Sequence, residues 1–269
     1  MINIVVFSKD RGCQLDLFLN SLKKFFIGVN INNVHVLYTY SNEAFGAGYV
    51  KAISYHPDVH YVYENKGKFK EDLLKNIFLT NIFTMFFVDD IIFKDEFNLM
   101  YDEVYEFIKN PDIACLSLRL HPGISYCYTM NIPMVAPEFL GGKLMWEWRK
   151  ACQGDFSYPM SLDGHLFRTI DILSKFVQLD YNNPNTLEGN LANNPLIMPY
   201  MTCFSKSKIV NIPANKVQDV NGNRHGQVSA QYLNEQFLLG KRLSLKRLLS
   251  NPSIEKNVSC HVDVPIEID

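Results

Sequence analysis

The chain has 269 residues, 47% of them hydrophobic and 20% charged, which is enough apolar side chain to bury one large core. Its 26 basic and 28 acidic residues leave a formal net charge of -2. No global positive field exists to hold nucleic acid, which argues against a nonspecific polyanion binder. Six cysteines, at 13, 115, 127, 152, 203 and 260, form no C-x-x-C pair and read as reduced thiols of an intracellular protein.

In chain order, residues 2–7 are a near-continuous apolar run, as a strand covered on both faces requires. Lys9 and Asp10 stop the run too early for a secretory signal. Residues 14–26 follow with Leu15, Phe18, Leu19, Leu22 and Phe25 on one helical stripe. Strands are expected at 34–40, 59–63, 84–88 and 113–118, and helices at 44–54 and 71–79. A further helix is expected to be capped by Asp95 and to carry Phe97, Met100, Val104 and Phe107. The most hydrophobic region, 77–93, is cut by Asp89 and Asp90, so it reads as a helix followed by a strand rather than a membrane span. The chain is therefore expected to be cytoplasmic, or peripheral to the inner face of a membrane at most.

From 121 to 159 the alternation breaks into a Pro-, Gly- and aromatic-rich stretch of the kind that usually forms functional loops. Helices are expected again at 164–176, 185–193 and 229–239, the last closed by Gly240, with strands at 200–204 and 208–212. The tail after Asn251 is polar and is expected to be loosely ordered. The mixture of basic and apolar residues at 241–249 fits either an amphipathic helix packed on the domain or one lying on an anionic membrane surface.

Alternating strands and helices predict an α/β sheet covered by helices, with ligands at the carboxyl ends of its strands. Three polar clusters fall at such ends: Ser8-Lys9-Asp10-Arg11, Thr39-Tyr40-Ser41-Asn42 and Asp89-Asp90. Two adjacent carboxylates closing an apolar strand are costly unless a positive group meets them. Mg²⁺ or Mn²⁺ on oxygen ligands serves that purpose, and the competing reading is that they begin a turn or cap a helix. The first cluster has no P-loop or G-x-G-x-x-G pattern, yet Asp10 suits a ribose or nucleobase and Arg11 a diphosphate. Trp146 and Trp148 can stack on sugar rings as acceptor contacts, or bury against the sheet.

This order of features resembles the GT-A glycosyltransferases, nucleotide-sugar-dependent enzymes with a Rossmann-like mixed sheet in a single domain. In that family the first strand ends in nucleotide contacts and the fourth in a D-x-D motif that holds a divalent metal. Val88-Asp89-Asp90 stands at that place, with valine for the first aspartate. The resemblance implies a donor site at Ser8, Lys9, Asp10, Arg11, Thr39, Ser41, Asp89, Gly164 and Arg168. It implies a metal held by Asp90, Asp89 and His225, with His121 and His165 as competitors. Glu188 is the implied catalytic base and Asp163 the second choice. Residues 1–120 would form the nucleotide-sugar half, 121–250 the acceptor and catalytic half, and 251–269 a tail. The implied reaction moves a sugar from a nucleoside diphosphate to a hydroxyl of a glycan or lipid-linked acceptor, with inversion. A sugar-nucleotidyltransferase is the first rival, though its glycine-rich first loop is missing between Phe7 and Cys13. A non-catalytic carbohydrate-binding protein of the same fold is the second.

Overall fold

The structure is a computed structural model that describes residues 2–77, 81–217 and 224–269. Eight strands make one mixed sheet: β1 (Ile2–Lys9), β2 (Val34–Thr39), β3 (His60–Tyr63), β4 (Phe83–Val88), β5 (Ile113–Ser117), β6 (Met145–Glu147), β7 (His165–Arg168) and β8 (Tyr200–Cys203), in the order β6-β8-β5-β7-β4-β1-β2-β3. Strands β1 to β4 run parallel, and β8 runs parallel to β5. Strand β7 lies antiparallel between β4 and β5, and β6 antiparallel to β8. Strand β1 is buried along seven of its eight residues, as its unbroken apolar run predicts for a strand covered on both faces.

The helices that cover this sheet are α1 (Gly12–Phe25), α2 (Glu43–Tyr55), α3 (Phe69–Ile77), α4 (Asp102–Lys109), α5 (Thr169–Gln178), α6 (Pro184–Asn193) and α7 (Ala230–Leu238). On one face Leu15, Phe18 and Leu22 of α1 pack with Phe87 and Phe93; on the other Phe86, Phe167 and Phe176 form a second core. Gly12 lets α1 approach α2 closely, because a Cβ there would stand 2.8 Å from the carbonyl carbon and oxygen of Gly48. Among the described residues no helix is long and apolar enough to cross a membrane.

Four expectations need correction. The helix expected over 164–176 begins instead as strand β7 and becomes helical only at Thr169, because the sheet partners on both sides override the local pattern. Asp95 caps no helix; its carboxylate pairs with Lys208 at 2.9 Å, and α4 starts at Asp102. The tail is not loose: Asn211 and Val262 are hydrogen-bonded in register and Cys260 is fully buried. Of the basic stretch at 241–249 only Leu245–Leu249 is helical, and Arg242 and Arg247 are engaged by Asp16, Glu267 and Asp269. The expected helix end at 78–79 and the residues just before Arg224 lie outside the described residues.

Candidate active site

The carboxyl ends of β1, β2 and β4 open into one cleft of about 670 Å³, a volume usual for small-molecule sites. Ser8, Lys9 and Arg11 line it from the first strand end, Thr39 and Ser41 from the second, and Asp89 and Asp90 from the fourth. Asp163, Glu188, Asn211, Asn215 and His225 close the opposite side, with Tyr128 and His261. The sequence thus brings most of its predicted site residues together.

The two aspartates of the doublet differ. Asp89 is buried and saturated: Ser8 Oγ donates to it at 2.7 Å, the Lys9 amide at 3.3 Å and Arg11 Nη1 at 2.9 Å. Burial works against the charge on Arg11, but Asp89 and Asp90 outweigh it and raise its pKa. Asp90 faces the cleft. Its Oδ1 accepts from Asn211 Nδ2 at 3.2 Å, and the same nitrogen lies 3.4 Å from Asp163 Oδ2. One amide therefore stands between two carboxylates, one just after β4 and one just before β7. Burial, reinforced by Asp89 and Asp163, pushes Asp90 up to about 7 despite Arg11 and Asn211. Burial likewise lifts Asp163 well above the usual carboxylate range, against the pull of Arg119 at 3.3 Å.

Glu188 sits near the start of α6, whose Asn183 and Thr186 form a reciprocal cap. Its Oε1 accepts from Ser161 Oγ at 3.1 Å and the Leu162 amide at 3.0 Å. Asp163 follows directly and enters the cleft because Gly164 turns the chain at φ 71°. Gly164 does not line the cleft: its amide donates to Phe86 and its carbonyl accepts from Leu118.

Other predicted residues stand elsewhere. Asp10 ties two strand ends together, its Oδ1 accepting from the Ser41 amide at 2.6 Å, and caps no helix. Arg168 points away from the cleft, donating to the carbonyls of Ile113, Phe107 and Asn110. Trp146 is fully buried with its indole nitrogen on Phe156 O, and Trp148 is 8% exposed with its own on Met198 O. Both tryptophans therefore pack in the core and do not line the cleft. His165 is buried at the start of β7, against the carbonyl of Pro159, and His121 bonds Asn257; neither reaches the cleft. His225 does, as an exposed residue whose Nδ1 meets its neighbour's carbonyl at 2.7 Å.

Sequence reasoning missed Asn211, Arg119, Asn215 and His261. Asn211 interrupts the apolar run at 208–212, and Arg119 follows a predicted strand, so both left a signal. Asn215 and His261 left none; the latter enters the cleft only because the tail pairs with Asn211. Burial lowers His261 to about 4, so its imidazole is neutral.

A mostly parallel sheet with acidic residues converging at the carboxyl ends of its central strands is the build of the GT-A fold. No family model matches the chain. Over 259 residues it is 32% identical to the bifunctional glycosyltransferase pgtA of Dictyostelium discoideum, covering 82% of this chain and 33% of that protein. The chain thus spans about a third of the length of that relative. Among solved structures it is similar to TarS of S. aureus, with 12% identity, 77% of this chain and 36% of that one covered and a TM-score of 0.47. It is also similar to the mannosyltransferase PcManGT from Pyrobaculum calidifontis in complex with GDP-Man and Mn²⁺, with 9% identity, 76% and 56% covered and a TM-score of 0.38. The sequence relationship makes the chain similar to part of a glycosyltransferase, and its sheet has the build that its order of motifs implies.

Proposed function

We propose that the chain transfers a sugar from a nucleoside diphosphate to a hydroxyl of a glycan or lipid-linked acceptor, with inversion and with a divalent cation, Mn²⁺ or Mg²⁺. The observation that carries this reading is the meeting of Asp90 and Asp163 at Asn211, beside Glu188, in a cleft entered from three strand ends. The residues fit such an ion. Asp90 and Asp163 converge on the Asn211 amide, and the buried Asn211 Oδ1, which has no hydrogen-bond partner, would join their oxygens if that amide turned over. An all-oxygen set suits a hard cation. Bound there, the ion would neutralise charge building on the departing diphosphate.

The chain's own residues supply the rest. Ser8, Lys9, Thr39 and Ser41 offer polar contacts along the strand ends to the nucleotide, and Lys216 and Arg224 line the same cleft for its phosphates. Glu188, oriented by Ser161 and Leu162, takes the proton of the acceptor hydroxyl. That oxygen forms the new bond to the anomeric carbon as the carbon–oxygen bond to the diphosphate breaks, and the diphosphate leaves with the electron pair. The test is a panel of nucleotide-sugars assayed for transfer and donor hydrolysis with Mn²⁺, in the natural protein and in Asp163→Asn. Turnover that the variant retains with an unchanged response to Mn²⁺ would reject this assignment.

A further inference from the structure

Arg11 has a role that its strand-end position does not require. Its guanidinium reaches in two directions at once. On one side Nη1 donates to Asp89 at 2.9 Å and lies 3.5 Å from Asp90 Oδ2. On the other, Nε donates to Asn215 Oδ1 at 2.8 Å and Nη2 to the Asn215 carbonyl. Gln14 Nε2 adds a second donor to Asn215 at 3.2 Å. Pro213, Asn215, Lys216 and Val217 form one wall of the cleft. That wall follows the short strand Ile209–Asn211, which carries the amide shared by Asp90 and Asp163. A single buried cation thus joins the wall to the acidic doublet.

We propose that Arg11 is a positioning residue that clasps the 213–217 wall onto Asp89 and Asp90, and that a divalent cation at Asp90 and the closed clasp oppose each other. The inference rests on the cation assignment made above. A cation on Asp90 meets the guanidinium at short range, in a site where burial keeps charges poorly screened. It competes for Asp90 Oδ2 and repels Nη1, so it loosens the grip on Asn215. Linkage makes the effect reciprocal: whatever weakens the clasp tightens cation binding by the same factor. A merely structural Arg11 predicts the opposite, because removing it would disorder Asp89 and weaken the ion's site.

The experiment measures Mn²⁺ alone by calorimetry, and amide hydrogen exchange at 214–217 with and without Mn²⁺. It uses the natural chain, Arg11→Met and Asn215→Ala. The second variant weakens the wall side of the clasp by removing the Oδ1 contact, while the contact to the main-chain carbonyl of residue 215 and the Arg11–Asp89 pair stay in place. Mn²⁺ is expected to bind about tenfold tighter to Arg11→Met and several-fold tighter to Asn215→Ala, within the usual range of coupling. In the natural chain Mn²⁺ is expected to speed exchange at 214–217. Equal or weaker Mn²⁺ binding in both variants, or exchange indifferent to Mn²⁺, overturns the clasp. Absence of Mn²⁺ binding in all three proteins overturns it together with the cation assignment. Tighter Mn²⁺ binding in the variants with no sugar transfer by the natural chain leaves the clasp standing and sinks only the transferase reading.

Discussion

Replacing Asp90 by Asn should stabilise the metal-free protein at neutral and alkaline pH. Asp90 titrates near 7 in the folded chain, against an ordinary value of 3.8. A raised carboxyl pKa means that the folded state holds the proton more tightly than the unfolded one. The charged form therefore costs stability, starting near pH 4, growing to about pH 7 and staying constant above. Three units correspond to about 4 kcal/mol as an upper bound. The side chain is 17% exposed to cleft water, and that screening brings the expected gain to about 1–2 kcal/mol. In a chain of this size that is roughly 2–4 °C in Tm. The substituted side chain can still accept from Asn211, and Arg11 keeps Asp89, so little else is lost. Thermal melts of both proteins in chelator at pH 4, 6 and 8 should show the advantage at pH 8 and its disappearance near pH 4. Saturating Mn²⁺ at pH 8 should raise the natural protein's Tm and leave the variant's nearly unmoved. A variant that melts below the natural protein at pH 8, or a gap indifferent to pH, would refute this account of the doublet.

Further tests separate chemistry from packing. Glu188→Gln keeps an oxygen for Ser161 and Leu162, so the melt should hold while kcat falls by about 10²–10⁴-fold, as for loss of a general base. Gly12→Ala drives a methyl group to 2.8 Å from the backbone of Gly48 and should cost about 1–3 kcal/mol in urea unfolding. Trp146→Ala empties a fully buried site and should cost about 3–5 kcal/mol. A weakened acceptor KM with unchanged stability would return that tryptophan to the cleft.

The elements legible in the sequence are those whose pattern is set locally. Strand β1 announces itself because burial on both faces demands an unbroken apolar run, β2 and β4 because their runs are mostly apolar, and α1 because its apolar residues recur at helical spacing. Strand ends then collect Ser8, Lys9, Thr39, Ser41, Asp89 and Asp90 without further information. What fails is set at a distance. Leu166, Phe167, Ile172 and Phe176 look helical together, yet the first two pair with β4 and β5. Arg168 looks like a phosphate ligand until its partners, three main-chain carbonyls, are known. Aromatic composition alone cannot distinguish a stacking tryptophan from one held by Phe156.

The same misread strand explains how the site is completed. A parallel strand delivers to the cleft the residues that follow it, as β1, β2 and β4 do. An antiparallel strand inserted among them starts where its neighbours end, so it delivers the residues that precede it. Strand β7 begins at His165 between β4 and β5, which puts Asp163 and Ser161 at the carboxyl ends of those strands. There Asp163 lies opposite Asp90 across Asn211, and Ser161 reaches Glu188. With 164–176 as one helix, Asp163 would be a cap with no reason to face the doublet. Reversing one strand's direction turns it into the second carboxylate of the site, with Gly164 supplying the left-handed turn that the reversal needs.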